Sequence, residues 1–215
     1  MFSRGRNFAR WLPAKLGYRH GPRIMSFLRQ RWVLVRHPHA DVRFGRGVYL
    51  GPGFSLSMPG TGSFVVGDFV EFRHGFRAEI NGSGRVVIGS GSRFTYAVVI
   101  QCTTSIEIGE RCVFAQAAML LDGQHRFRDA SQPMLDQGYD FHPLRIDEDV
   151  AVMSKCTVMS DIGRHAFIGA HAVVTTPIPA YCLAVGAPAR VVDYFGPPGG
   201  DPRKHGAAVV DPPGA

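Results

Sequence analysis

Cysteine is scarce in this chain, and the four that occur, Cys102, Cys112, Cys156 and Cys182, form no tight C-x-x-C pair. That spacing leaves out zinc ribbons and dithiol redox motifs, and points to small buried thiols in a reducing compartment. Long apolar runs are missing too: nothing approaches the roughly eighteen residues that cross a bilayer as a helix. The basic start has neither an apolar h-region nor a small-residue cleavage site, so the expected location is cytoplasmic. Acids are absent from residues 1–40, which hold nine Lys or Arg, whereas residues 41–215 carry fifteen Lys or Arg against seventeen acids. The net charge of +7 therefore belongs to the leader, and charge gives no reason to expect the nearly neutral body to bind nucleic acid.

Glycine and proline are plentiful, at 26 and 15, and 45% of the chain is hydrophobic, which suits one domain with a real core and many corners. The corners follow a period. Ile108-Gly-Glu-Arg-Cys-Val, Phe114-Ala-Gln-Ala-Ala-Met and Leu120-Leu-Asp-Gly-Gln-His are consecutive six-residue units that each open on an apolar residue. The unit returns at Ile162, Ile168, Val174 and Ala180, and less cleanly at Phe44 and Leu50. Six matches neither the 3.6-residue period of an amphipathic helix nor the two-residue period of a strand, but it fits a short strand plus a corner. Three such units close one triangular coil, so the expected fold is all-β, a parallel β-helix of hexapeptide repeats with the opening side chains inside.

Coil openings fall at Phe44, Val66, Ile88, Ile108, Ile146 and Ile162, so successive steps are 22, 22, 20, 38 and 16 residues. The long step marks one inserted loop, residues 126–143, in an otherwise regular solenoid, and such loops usually serve function. Ahead of the solenoid, residues 1–42 form a basic segment that alternates Arg with Phe, Trp, Leu and Ile. Phe8, Trp11, Leu12 and Lys15 have helical spacing, and a second helical piece is expected over about 24–35. This segment suits a cap on the open end of the prism, or peripheral contact with an anionic membrane. The solenoid itself occupies residues 43–192. Residues 193–215 are rich in Gly and Pro, and from 196 onward little order is expected.

Four pieces resemble the hexapeptide-repeat acyltransferases, most of all the branch of maltose, galactoside and polysaccharide O-acetyltransferases. They are Asp122-Gly-Gln-His125, the run from Pro133 to Tyr139, the run from Ile162 to Pro179, and Val185-Gly-Ala-Pro-Ala-Arg-Val-Val192. The resemblance implies left-handed coils, a homotrimer with each active site between two subunits, and acetyl-CoA as cosubstrate with no metal. It also implies transfer of the acetyl group to a hydroxyl of a carbohydrate or glycolipid precursor. His125 matches the family's catalytic histidine, and an imidazole is neutral enough near neutral pH to take a hydroxyl proton. Coenzyme A contacts carried across residue by residue are Ser154, Ala170, Thr175, Thr176 and Arg190. For the acceptor, Thr95 and Ala97 stand where relatives have asparagines, and Asp122 and Gln124 flank His125.

Two rival readings accompany this one. The same solenoid can carry a zinc hydrolyase of carbonic anhydrase type, for which His165 and His171, one face apart, are the candidate ligands. Alternatively, because Ala151-Val-Met153 replaces the relatives' Trp-Ile-Gly, the chain could be a non-catalytic scaffold docked at the membrane by its leader.

Overall fold

The structure, a computed structural model, describes residues 22–205. Residues 22–36 are helical and are labelled α1. The chain then winds through six coils and part of a seventh, forming three parallel sheets. The first face holds Asp41–Phe44, Ser63–Val66, Arg85–Ile88, Ser105–Ile108 and Leu144–Ile146, continued by single bridges at Ile162 and Ile178. The second holds Tyr49–Leu50, Glu71–Phe72, Arg93–Phe94, Val113–Phe114, Ala151–Val152, Phe167–Ile168 and Cys182–Val185. The third holds Ser55–Ser57, Arg77–Ile80, Val99–Cys102, Met119–Leu121, Thr157–Val158 and Val173–Val174.

Every coil opening expected from the repeat is in register on the first face, where Phe44, Val66, Ile88, Ile108, Ile146 and Ile162 pair in succession. Counting inward residues around a coil shows where the irregular steps arise. The step from first to second face is six residues in every coil, as in Phe44 to Leu50 and Ile108 to Phe114, and so is the step from second to third. All length variation falls on the corner from third face back to first. That corner runs from Leu56 to Val66, from Ile100 to Ile108, from Leu120 to Ile146, and in only four residues from Val158 to Ile162 and from Val174 to Ile178. One expectation changes as a result: the unit opening at Ala180 is out of frame, because the shortened corner turns Ile178 and then Ala184 inward instead.

Small residues at the second position of the unit have a steric reason, since a Cβ on Gly89 would lie 2.5 Å from the backbone N of Glu110 in the next coil. Inside the prism, Phe72, Phe94 and Phe114 stack in one column, with ring centroids 5.0 and 4.8 Å apart. The four cysteines are buried as well. Burial pushes the Cys112 and Cys182 thiols up to about 11, and raises Cys102 further with help from Asp122 beside it, so these thiols are packing groups rather than nucleophiles.

Helix α1 lies on the first coil, as the capping expectation requires. Ser26 accepts a 2.8 Å hydrogen bond from the Leu50 N–H, Gln30 donates to the Val48 carbonyl at 2.8 Å, and Arg29 donates to the Leu50 carbonyl at 3.0 Å. The earlier helical piece expected around Phe8 to Lys15 lies outside the described residues. At the other end Arg190–Tyr194 returns antiparallel along Cys182–Val185. Residues 196–205, for which the sequence suggested little order, fold against that strand: Arg203 pairs with Asp201 at 2.8 Å and donates to the Val192 carbonyl at 3.1 Å.

Candidate active site

The inserted loop leaves from the variable corner of the fourth coil and starts as an antiparallel hairpin of Gly123–His125 with Tyr139–Phe141. Two neighbouring contacts fix its base. The Asp122 carboxylate, only 4% exposed, accepts hydrogen bonds from the backbone N–H groups of Thr103 and Thr104 and from the Thr104 hydroxyl. The Asp122 carbonyl accepts from the His142 N–H at 2.8 Å as the chain returns. Asp122, expected to hold substrate, lines the smaller of the two cavities beside His125, while its carboxylate oxygens also bond to the corner that aims the hairpin.

Within the hairpin, alternation separates the side chains. His125 stands opposite Tyr139 and Gly123 opposite Phe141, whereas Gln124 and Asp140 share the other side. The His125 and Tyr139 rings are 4.2 Å apart, and Tyr139 stacks on Phe141 at 5.6 Å. Neither nitrogen of His125 bonds to another of the described residues, and the ring is exposed to two cavities. One, of about 760 Å³, is lined by Gln124, Arg126, Phe127, Gln132 and Asp140 of the loop as well as His125. The other, of about 460 Å³, lies between hairpin and solenoid, lined by His125, Tyr139, Phe141, Asn81, Gln101 and Thr103 among others.

The loop acids are largely engaged within the loop. Asp140 pairs with Arg126 at 2.6 Å, and Asp129 accepts from the Ser131 N–H and hydroxyl, which holds its carboxyl below the usual range. Gln137 donates to the Asp129 and Gln132 carbonyls, so it serves as the loop's internal tie.

The residues matched to coenzyme A contacts fall in two places. Ser154 and Ala170 stack in successive coils on the corner between second and third faces, where the Ser154 hydroxyl donates to Gln116 at 2.8 Å. Thr175 and Thr176 lie on the variable corner of the sixth coil, two coils beyond the hairpin, about 10 Å along the axis at one strand spacing per coil. Arg190 reaches this second place, because the Gly186 to Ala189 turn bonds to both sides of Val173, and Thr176 and Arg190 line one cleft of about 260 Å³. Thr95 and Ala97 sit on the corner between second and third faces of the third coil. Neither cavity that His125 lines reaches them. The Thr95 hydroxyl is buried without a hydrogen-bond partner among the described residues.

Asn81 and Gln101 gain a place at the cavity that the motifs alone did not give them. Gln101 pairs with Leu121 one rung before Asp122, so stacking the 20- and 22-residue steps would have located it. His165 and His171 stand on different corners, with His165 bonded to Asp149 at 2.7 Å. No group of three His, Cys, Asp or Glu able to hold a metal is found among the described residues.

No family model matches the chain. A probable acetyltransferase of Mycobacterium tuberculosis is 33% identical over 177 residues, covering 77% of this chain and 57% of the relative, so the chain spans little more than half that protein's length. A hexapeptide-repeat acetyltransferase of Vibrio cholerae, solved with acetyl coenzyme A, superposes with a TM-score of 0.54 at 17% identity, covering 79% of this chain and 78% of the other. A polysialic acid O-acetyltransferase superposes with a TM-score of 0.56 at 15% identity, covering 72% and 84%. By its repeat and its fold, the chain is a hexapeptide-repeat left-handed parallel β-helix of the kind on which these acetyltransferases are built.

Proposed function

We propose that the chain is an acetyl-CoA-dependent O-acetyltransferase acting on a hydroxyl of a carbohydrate or glycolipid precursor, with His125 as general base. One observation carries the reading: His125 lines both cavities at the base of the only long insertion in the solenoid, within reach of a group in either. The smaller cavity is assigned to the acceptor. Tyr139 and Phe141 offer stacked ring faces to a sugar, while Asn81, Gln101 and Thr103 offer amide and hydroxyl partners for its hydroxyls. The similar structures support both halves, one being solved with acetyl coenzyme A and the other being a polysialic acid O-acetyltransferase.

The residues suit the cosubstrate. Small side chains at Ala170 and Ser154 leave a corner a pantetheine arm can lie along, and Arg190 beside Thr176 offers a guanidinium to phosphate. When bound, acetyl-CoA supplies the acetyl group as an activated thioester. The chain's own task is to move one proton: His125 takes it from the acceptor hydroxyl as that oxygen attacks, and returns it to the departing thiolate. Because Ser154, Ala170, Thr95 and Ala97 stand across the third face from the hairpin, the two halves of the site meet best between neighbouring subunits, and we assign the enzyme a homotrimeric, cytoplasmic form. The test is release of free coenzyme A thiol across a panel of sugar acceptors. Release that depends on acceptor supports the reading, and acetyl-CoA left intact with every acceptor would remove it.

A further inference from the structure

Helix α1 is amphipathic in the reverse sense to a surface helix packed on a core. Its inner face is mostly polar: Ser26, Arg29 and Gln30 bond to backbone groups of the first coil, with Val33 and His37 buried beside them. Its outer face is apolar except for Arg31, which stands three residues after Leu28 and four before Val35. Ile24, Leu28 and Val35 fall at spacings of four and seven residues, on the stripe opposite Ser26 and Val33, flanked by Phe27 and Trp32. All five are exposed, Trp32 at 64% and Val35 at 72%. The polar bonds fix this orientation, so the stripe cannot turn inward to find cover.

The charge around the stripe selects what covers it. Arg23, Arg31 and Arg36 are exposed and have no acidic partner among the described residues, and residues 1–40 contain no acid at all. A second copy of the same face would set arginines against arginines. We infer that α1 docks the protein on an anionic lipid bilayer, lying in the interface with Ile24, Leu28, Trp32 and Val35 among the acyl chains and the arginines on the headgroup phosphates. The helix then has two jobs, closing the prism with one face and holding it at a membrane with the other. No described helix is long and apolar enough to cross a membrane, which fits a helix lying flat. The inference stands apart from the chemistry at His125.

The test uses the full-length protein in co-sedimentation with phosphatidylcholine vesicles, with and without phosphatidylglycerol. The native protein is expected to bind the anionic vesicles and to release as salt rises, with little binding to the neutral ones. The double variant Leu28→Glu with Val35→Glu, which leaves every inner-face bond in place, is expected to lower the partition at least about tenfold. A second pair, Arg31→Gln with Arg36→Gln, is expected to weaken binding to anionic vesicles alone. Absence of native binding, or binding by both pairs of variants equal to that of the native protein, would overturn the inference. A change in oligomeric state in light scattering on altering Leu28 and Val35 would overturn it too, by making the face a contact between copies.

Discussion

The rings of His125 and Tyr139 face one another across a directly opposed pair of the hairpin, with centroids 4.2 Å apart and planes inclined at 38°. Tyr139 is itself backed by Phe141. A base that must meet a hydroxyl gains from a ring held in one place, and here the hold is aromatic contact rather than a hydrogen bond to another described residue. Tyr139→Ala is expected to lower kcat about tenfold through loss of orientation, while Tyr139→Phe keeps most of it. Steady-state kinetics on both variants check this, since equal losses would assign the effect to the phenol hydroxyl instead.

Asp122 is expected to act on stability before it acts on turnover. Asp122→Ala leaves the Thr103 and Thr104 N–H groups without their charged acceptor, at a cost of about 3 kcal/mol. Thermal unfolding measures the loss. A variant with unchanged melting temperature but lost activity would move Asp122 from the corner to the substrate.

The phenylalanine column gives a prediction remote from the site. Phe94 lies between Phe72 and Phe114 with no exposure, so Phe94→Ala opens a cavity in the middle of the prism. A destabilisation of about 3–5 kcal/mol is expected in denaturant titration.

The thiols set an alkaline limit. Cys112 and Cys182 have their pKa raised from 9.0 to about 11 by burial, so below pH 9 folded and unfolded chains both keep these protons and the burial stabilises in full. As pH rises from 9 toward 11 the unfolded chain ionises first, and stability falls through that window. The melting temperature should decline there, and less steeply in a Cys112→Ala, Cys182→Ala variant. In the native state at pH 8 both thiols should resist alkylation.

Much of the solenoid was legible because its geometry is written in residue spacing. Phe44 through Ile162 repeat at coil intervals, and an inward apolar residue can be recognised from neighbours alone. Ala180 misled because the six-residue frame holds on two corners only. The third corner is free to shorten or lengthen, and nothing local announces that Val174 is followed inward by Ile178. For the site, His125 could be found from its motif and from the break in period. Asn81 could not, and Gln101 only by stacking the coil steps, since their place depends on which coils lie beside the hairpin. Asp122 both lines the smaller cavity and caps the corner, and a carboxylate beside a histidine reads the same from sequence in either role. The apolar stripe of α1 was visible in the sequence, but only the bonds of Ser26 and Gln30 decide which face the body takes.

Replacing His125 by Ala is the most direct measurement of the proposed chemistry. Removal of the base should lower the rate of coenzyme A thiol release about a hundredfold or more, with melting temperature and acetyl-CoA affinity unchanged. Turnover equal to that of the native protein would contradict the assignment of the base, and with it the assignment of the smaller cavity to the acceptor.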